Sequence, residues 1–120
     1  MDAKEGTNAR TMVLEALLNL QMDTSRLKDE LRKFKWDCEE ELVILGRDHL
    51  KKILNEYLNG QLREGTLNEW AELIEMRDDI GFEPENEDLL KEIIFELANP
   101  DINLQITPKR AKEYLQQLKK

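Results

Sequence analysis

Leu50, Ile53, Leu54, Tyr57 and Leu58 stand at relative positions 0, 3, 4, 7 and 8. That spacing lays an apolar stripe along one face of a 3.6-residue helix, broad enough to face a core. Asn59-Gly60 then supplies helix-stop chemistry. The same alternation of stripe and stop recurs down the chain. Thr66-x-x-Glu69 is written as a capping box, Thr66 accepting from the Glu69 amide while Glu69 reaches back, and Leu67, Trp70, Ala71 and Ile74 follow it. Gly81 and Pro84 break that pattern. Asn86 or Glu87 starts a further helix with Leu90, Ile93, Ile94 and Leu97 inward. Asn99-Pro100 ends it, because proline disfavours the helical conformation in the residue before it. Thr107-Pro108 is an N-cap followed by proline at the first helical position, and Ala111, Tyr114, Leu115 and Leu118 complete the last stripe.

The N-terminal third has two readings. Residues 1–10 are small, polar and charged, and are expected to be disordered. From Thr11, the residues Val13, Leu17, Leu20, Thr24, Leu27, Leu31, Phe34 and Cys38 fall on one 4-3 heptad seam. A single long helix that pairs with a second copy would read this way. The N-cap cluster Asp23-Thr24-Ser25 and the polar Thr24 on the seam favour two helices instead, the second ending near Lys35. Residues 36–46 are a connection, either helical or extended, since the run Leu42-Val43-Ile44-Leu45 is too short for its period to be read. The sum is an all-α fold: residues 11–120 form one domain, a bundle of five or six helices with at most an incidental pair of extended segments. Leu50, Ile53, Leu54, Leu58, Leu67, Trp70, Ile74, Leu90, Ile93, Ile94, Leu97 and Leu115 are its expected core.

Composition agrees with that class. Leucine (20) outnumbers the β-branched residues Ile (8), Val (2) and Thr (5) combined. No apolar run approaches the roughly 20 residues needed to cross a bilayer. The N-terminus MDAKEGTNAR has no basic-then-apolar signal design. A cytoplasmic chain is expected, without membrane contact. One cysteine, Cys38, excludes an internal disulfide, and one histidine, His49, excludes a multi-histidine metal site.

Residue by residue, chemistry finds little footing. An EF-hand register from Asn55 has Tyr57 at position 3 and Thr66 at position 12, where a bidentate Glu is required. His49 has no partner at ligand spacing. Cys38 lies beside Glu39, Glu40 and Glu41, which oppose thiolate formation. Asp78-Asp79 and Glu83-x-Glu85 could act as paired acids only in a cleft that splits their pKa values. No enzyme, metal or cofactor is expected.

Charge is the informative property. Of 26 acidic and 18 basic residues, residues 36–106 hold 19 acids against 6 bases, and seven acids lie between Glu75 and Asp88. Such a field repels nucleic acid and draws basic proteins. With Leu67, Trp70, Ala71 and Ile74 turned inward, Glu72, Glu75, Asp78, Asp79, Glu83 and Glu85 are predicted to form a partner-facing patch, with Phe82 and Ile80 as apolar anchors or as plugs beneath the loop. The function expected is that of a protein-binding module for a basic partner, as a monomer or a homodimer. The alternative is a structural or regulatory homodimer built on the 11–38 seam.

Trp36-Asp37 with Glu41-Leu42-Val43, Tyr57 to Leu62 leading to Glu69-Trp70, and Arg77 to Glu83 with Phe95 to Pro100 together resemble a group of small bacterial helical proteins with no settled activity, over about residues 25–118. The stretch 57–70 is also similar to the helix-loop-helix of colicin D-type immunity proteins, acidic helical bundles that block a basic nuclease toxin. That resemblance implies toxin neutralisation as one concrete form of the binding function and transfers no site residue.

Overall fold

The computed structural model describes residues 3–34, 40–101 and 105–119, with side chains from Ala9 onward. Among the described residues six helices, α1 (Ala3–Asn19), α2 (Thr24–Leu31), α3 (Arg47–Leu58), α4 (Glu64–Glu75), α5 (Glu87–Ala98) and α6 (Pro108–Leu118), surround one apolar core. Two three-residue strands, β1 (Val43–Leu45) and β2 (Ile80–Phe82), pair in parallel with Val43 opposite Ile80, Ile44 opposite Gly81 and Leu45 opposite Phe82. A 3-10 turn, Pro84–Asn86, leads from β2 into α5. The architecture is the expected all-α bundle, and the strand pair is its only sheet among the described residues.

Two helices end in the same backbone motif. At the end of α3, Gly60 adopts φ 82° while its N–H donates to the Tyr57 carbonyl and the Gln61 N–H to that of Glu56, a Schellman stop. At the end of α1, Leu20 takes the glycine position at φ 49°, with Leu20 N–H on Leu17 and Gln21 N–H on Ala16. The chain reverses there. Asp23 then caps α2 by accepting from the Arg26 N–H at 2.9 Å. The 4-3 seam is thus folded into a helical hairpin, and Leu17, Leu27 and Leu31 are buried in the chain's own core.

Helix α1 takes in residues 3–10, and the Arg10 side chain reaches Asp79. Three expectations need correction. The second helix stops at Leu31, with Arg32 as its C-cap, short of Lys35. No capping box forms at Thr66, because α4 begins two residues earlier with Arg63 as N-cap. Glu69 instead turns across to α2, accepting from Thr24 Oγ1 at 3.0 Å and from Lys28 Nζ at 3.3 Å. Finally, Leu58 and Leu115 lie half-buried at the margin of the core; the other ten expected core residues are buried.

Trp70 has no exposure and sits at the centre, its indole N–H donating to the Leu17 carbonyl at 2.8 Å. A buried indole needs such a partner. This bond ties α4 to the turn that ends α1. The last helix is locked onto α5 by side chains: Arg110 donates to Glu96, and the Tyr114 hydroxyl donates to the same carboxylate oxygen at 2.9 Å. Burial first, then the Glu96 carboxylate, push the Tyr114 phenol up to about 12 against the opposing effect of Arg110.

Candidate protein-interaction surface

The acidic stretch from Glu72 to Asp88 does not form one patch. Asp79 has no solvent exposure. Its carboxylate accepts from Arg10 Nε at 2.8 Å and from Arg77 Nε and Nη2, both at 3.0 Å. Its backbone carbonyl accepts from the Leu42 N–H at 2.8 Å. Arg77 is its neighbour in sequence, but Arg10 arrives from α1, so the charge joins α1 to the strand pair and cannot face a partner. This corrects the reading of Asp79.

Glu83 is also turned inward to local work. It accepts from Asn86 Nδ2 at 2.8 Å and from the Arg47 N–H in the first turn of α3 at 3.4 Å. The Asn86 hydrogen bond above all holds its carboxyl below the ordinary value; desolvation opposes it, and the Arg47 N–H and the charges of Arg47 and His49 add to the lowering. Beside it, His49 Nδ1 accepts from the Gly46 N–H at 3.0 Å, so the histidine closes the start of α3. Phe82 is half-buried against the core and Ile80 is buried; both act as plugs beneath the loop. Glu72, Glu75, Asp78 and Glu85 are exposed. They do not lie together: Glu72 and Glu75 line a depression with Met76, Ala98 and Asn99, Asp78 lies in the turn before β2, and Glu85 lies beyond β2 on the 3-10 turn. Neither Asp79 nor Glu83 is available as half of a coupled acid pair. Cys38 lies outside the described residues.

A different surface is assembled around β1, β2 and the first turn of α5. The parallel pairing puts Ile44 and Gly81 on the same face of the strand pair. Val43 and Leu45 point into the core, leaving Ile44 outside and 46 % exposed. The Glu41 side chain lies directly over Gly81, where a Cβ would overlap its carboxylate. Nearby, Lys91 Nζ pairs with Glu87 at 2.8 Å and stands 5.8 Å from the centre of the Phe82 ring. Glu87 above all, then Asp88 and Glu41, raise the Lys91 ammonium above its ordinary value. Lys91 thus pairs directly with Glu87, while the charges of Asp88 in the same helical turn and of Glu41 ahead of β1 act on it from further away, and Glu85 lies on the intervening turn.

Glu41, Ile44, Glu87, Asp88 and Lys91 are absent from the sequence-derived patch. The strand alternation of 43–45 was the available signal for Ile44, but a four-residue apolar run does not display it unambiguously. No helix among the described residues is long and apolar enough to cross a membrane. No protein-family model matches the chain, and no curated protein or solved structure matches it.

Proposed function

We propose that this chain is a cytoplasmic, non-enzymatic protein-binding module that docks on a basic protein through the surface formed by Glu41, Ile44, Glu85, Glu87 and Asp88. The observation that carries this reading is Ile44, 46 % exposed on a strand pair whose Gly81 lies under the Glu41 carboxylate, with the Glu87–Lys91 pair standing at the Phe82 ring of the same pair. Local carboxylates exceed local cations there, so a partner's lysines or arginines relieve repulsion as they dock. An apolar side chain ringed by charge is the composition of an interface hot spot. Electrostatic attraction of this kind raises the association rate and rejects acidic competitors. Neutralisation of a basic toxin, which the resemblance of residues 57–70 to colicin D-type immunity proteins suggests, is one concrete form of this activity.

The experiment is affinity capture from native lysate with three baits. They are the wild type, a variant carrying Glu41→Gln, Glu87→Gln and Asp88→Asn, and the single variant Ile44→Ser. All substituted side chains are exposed, so circular dichroism should be unchanged. A basic protein retained by the wild type and lost by both variants supports the proposal. An identical set of captured proteins on all three baits contradicts it.

A further inference from the structure

Met76, the C-cap of α4, is 67 % exposed and stands between two depressions of opposite character. On one side it shares a groove of about 440 Å³ with Leu31 and Phe34 at the end of α2 and with Leu73 of α4. The charged residues lining that groove are Lys28, Arg32 and Arg77, with no carboxylate among the described residues that line it. On the other side Met76 shares a depression of about 250 Å³ with Glu72, Glu75, Ala98 and Asn99, with no cation among the described residues that line it. One short ridge thus separates a cationic, largely apolar groove from an acidic hollow, with a large apolar side chain on the crest.

The charges on this surface are available for exchange. Arg32 meets Asp29 at 3.5 Å with both side chains more than 70 % exposed, and Lys28 meets Glu69 at 3.3 Å with both about 40 % exposed. Exposed pairs of this kind hold only weakly, so a better-placed partner replaces them readily. Arg77, by contrast, is held by Asp79 and serves as a fixed wall of the groove. Glu75 accepts from Asn99 Nδ2 at 3.1 Å, and Glu72 is exposed.

We propose that this surface is self-complementary and that its occupant is a second copy of the same chain. In a two-fold dimer the same patch is used by both subunits and every contact occurs twice. An axis lying in the interface along the Met76 ridge sets the Lys28 and Arg32 flank of each subunit against the Glu72 and Glu75 flank of the other. The same operation brings the two Met76 side chains together over the apolar walls formed by Leu31, Phe34 and Leu73. Methionine suits such a place because its unbranched, polarisable side chain fills an irregular groove. This dimer takes only Leu31 and Phe34 from the 4-3 seam, whose Leu17 and Leu27 are buried within each subunit, and does not use the Ile44 surface proposed for a basic partner.

The test is sedimentation equilibrium of the full chain from about 1 to 500 µM, a range that brackets weak and moderate self-association. The wild type is expected to dimerise reversibly, and Met76→Asp to weaken the dimer at least about tenfold. Arg32→Glu and Glu75→Lys are each expected to weaken it similarly, because each places like charges together twice. An equimolar mixture of Arg32→Glu with Glu75→Lys should regain the dimer, since the mixed pair restores opposite charges at both contacts. All three substituted side chains are exposed, and circular dichroism confirms folding of each variant. A wild type that stays monomeric throughout overturns the proposal. So does a dimer indifferent to Met76→Asp, or a variant mixture that associates no better than either variant alone.

Discussion

The guanidinium of Arg10 donates to the fully buried carboxylate of Asp79 at 2.8 Å across 69 residues of sequence. The same guanidinium stands 5.9 Å from the centre of the Phe34 ring. Arg10 therefore fastens the first helix both to the turn before β2 and to the end of the helical hairpin. Arg77 completes the cluster from the other side, with its side chain 7 % exposed. A buried carboxylate with two guanidinium partners avoids the desolvation penalty that an isolated buried charge would incur.

Removing that carboxylate takes from two largely buried guanidinium groups the charge they share. Asp79→Asn is expected to destabilise the fold by about 3–5 kcal/mol, the usual result of breaking one side of a buried ion pair. Urea denaturation followed by circular dichroism measures the loss. Asp78→Asn, one residue earlier and exposed, should change stability by less than about 0.5 kcal/mol.

Gly60→Ala isolates the cost of a backbone conformation. Gly60 sits at φ 82°, and a Cβ there would meet nothing within 4 Å, so crowding plays no part. The left-handed conformation alone should cost about 1 kcal/mol, read as a lowered urea midpoint with an unchanged slope.

Tyr114 governs the alkaline limit. Its phenol is raised from an ordinary value of 10.0 to about 12, so the folded state holds its proton after the unfolded state has released it. The stability from this group is complete below pH 10 and is lost as pH rises toward 12. Tyr114→Phe should remove that part of the alkaline decline. The difference in tyrosinate absorbance between the wild type and Tyr114→Phe separates Tyr114 from Tyr57, which burial and Glu64 also raise.

At the acid end, Glu83 carries the opposite dependence. Its carboxyl is held below the ordinary 4.5, first by the Asn86 hydrogen bond. The stabilisation is present above pH 4.5 and disappears as pH falls through the lower folded-state value. Asn86→Ala should flatten this part of the stability profile between neutral and acid pH, as measured by urea midpoints at successive pH values.

Helices α3, α5 and α6 were legible because each carries its stripe beside local punctuation: Asn59-Gly60, Asn99-Pro100 and Thr107-Pro108 act on neighbouring backbone groups, whereas α4 was legible from its stripe alone. Thr107 does accept from the Arg110 N–H at 3.2 Å. The end of α1 was ambiguous for a physical reason, since the Schellman position there is filled by Leu20, a residue that does not advertise positive φ. The candidate site was less legible still. Composition identifies seven acids between Glu75 and Asp88, but only tertiary contacts decide which remain on the surface. Asp79 was withdrawn by Arg10 from α1, and Glu83 by the start of α3. Glu41 and Ile44 gained their places from a parallel pairing between strands 37 residues apart, which no local pattern encodes.

The most direct test of the basic-partner account is an amide-resolved NMR titration of the folded chain with a synthetic peptide of alternating lysine and leucine. The expected result is a set of shifts centred on Ile44, Phe82 and Lys91, absent in the Glu41→Gln, Glu87→Gln, Asp88→Asn variant and suppressed by about 0.5 M salt, where exposed charges are screened within a few ångströms. Shifts centred elsewhere, or a response equal in wild type and variant, would contradict the account.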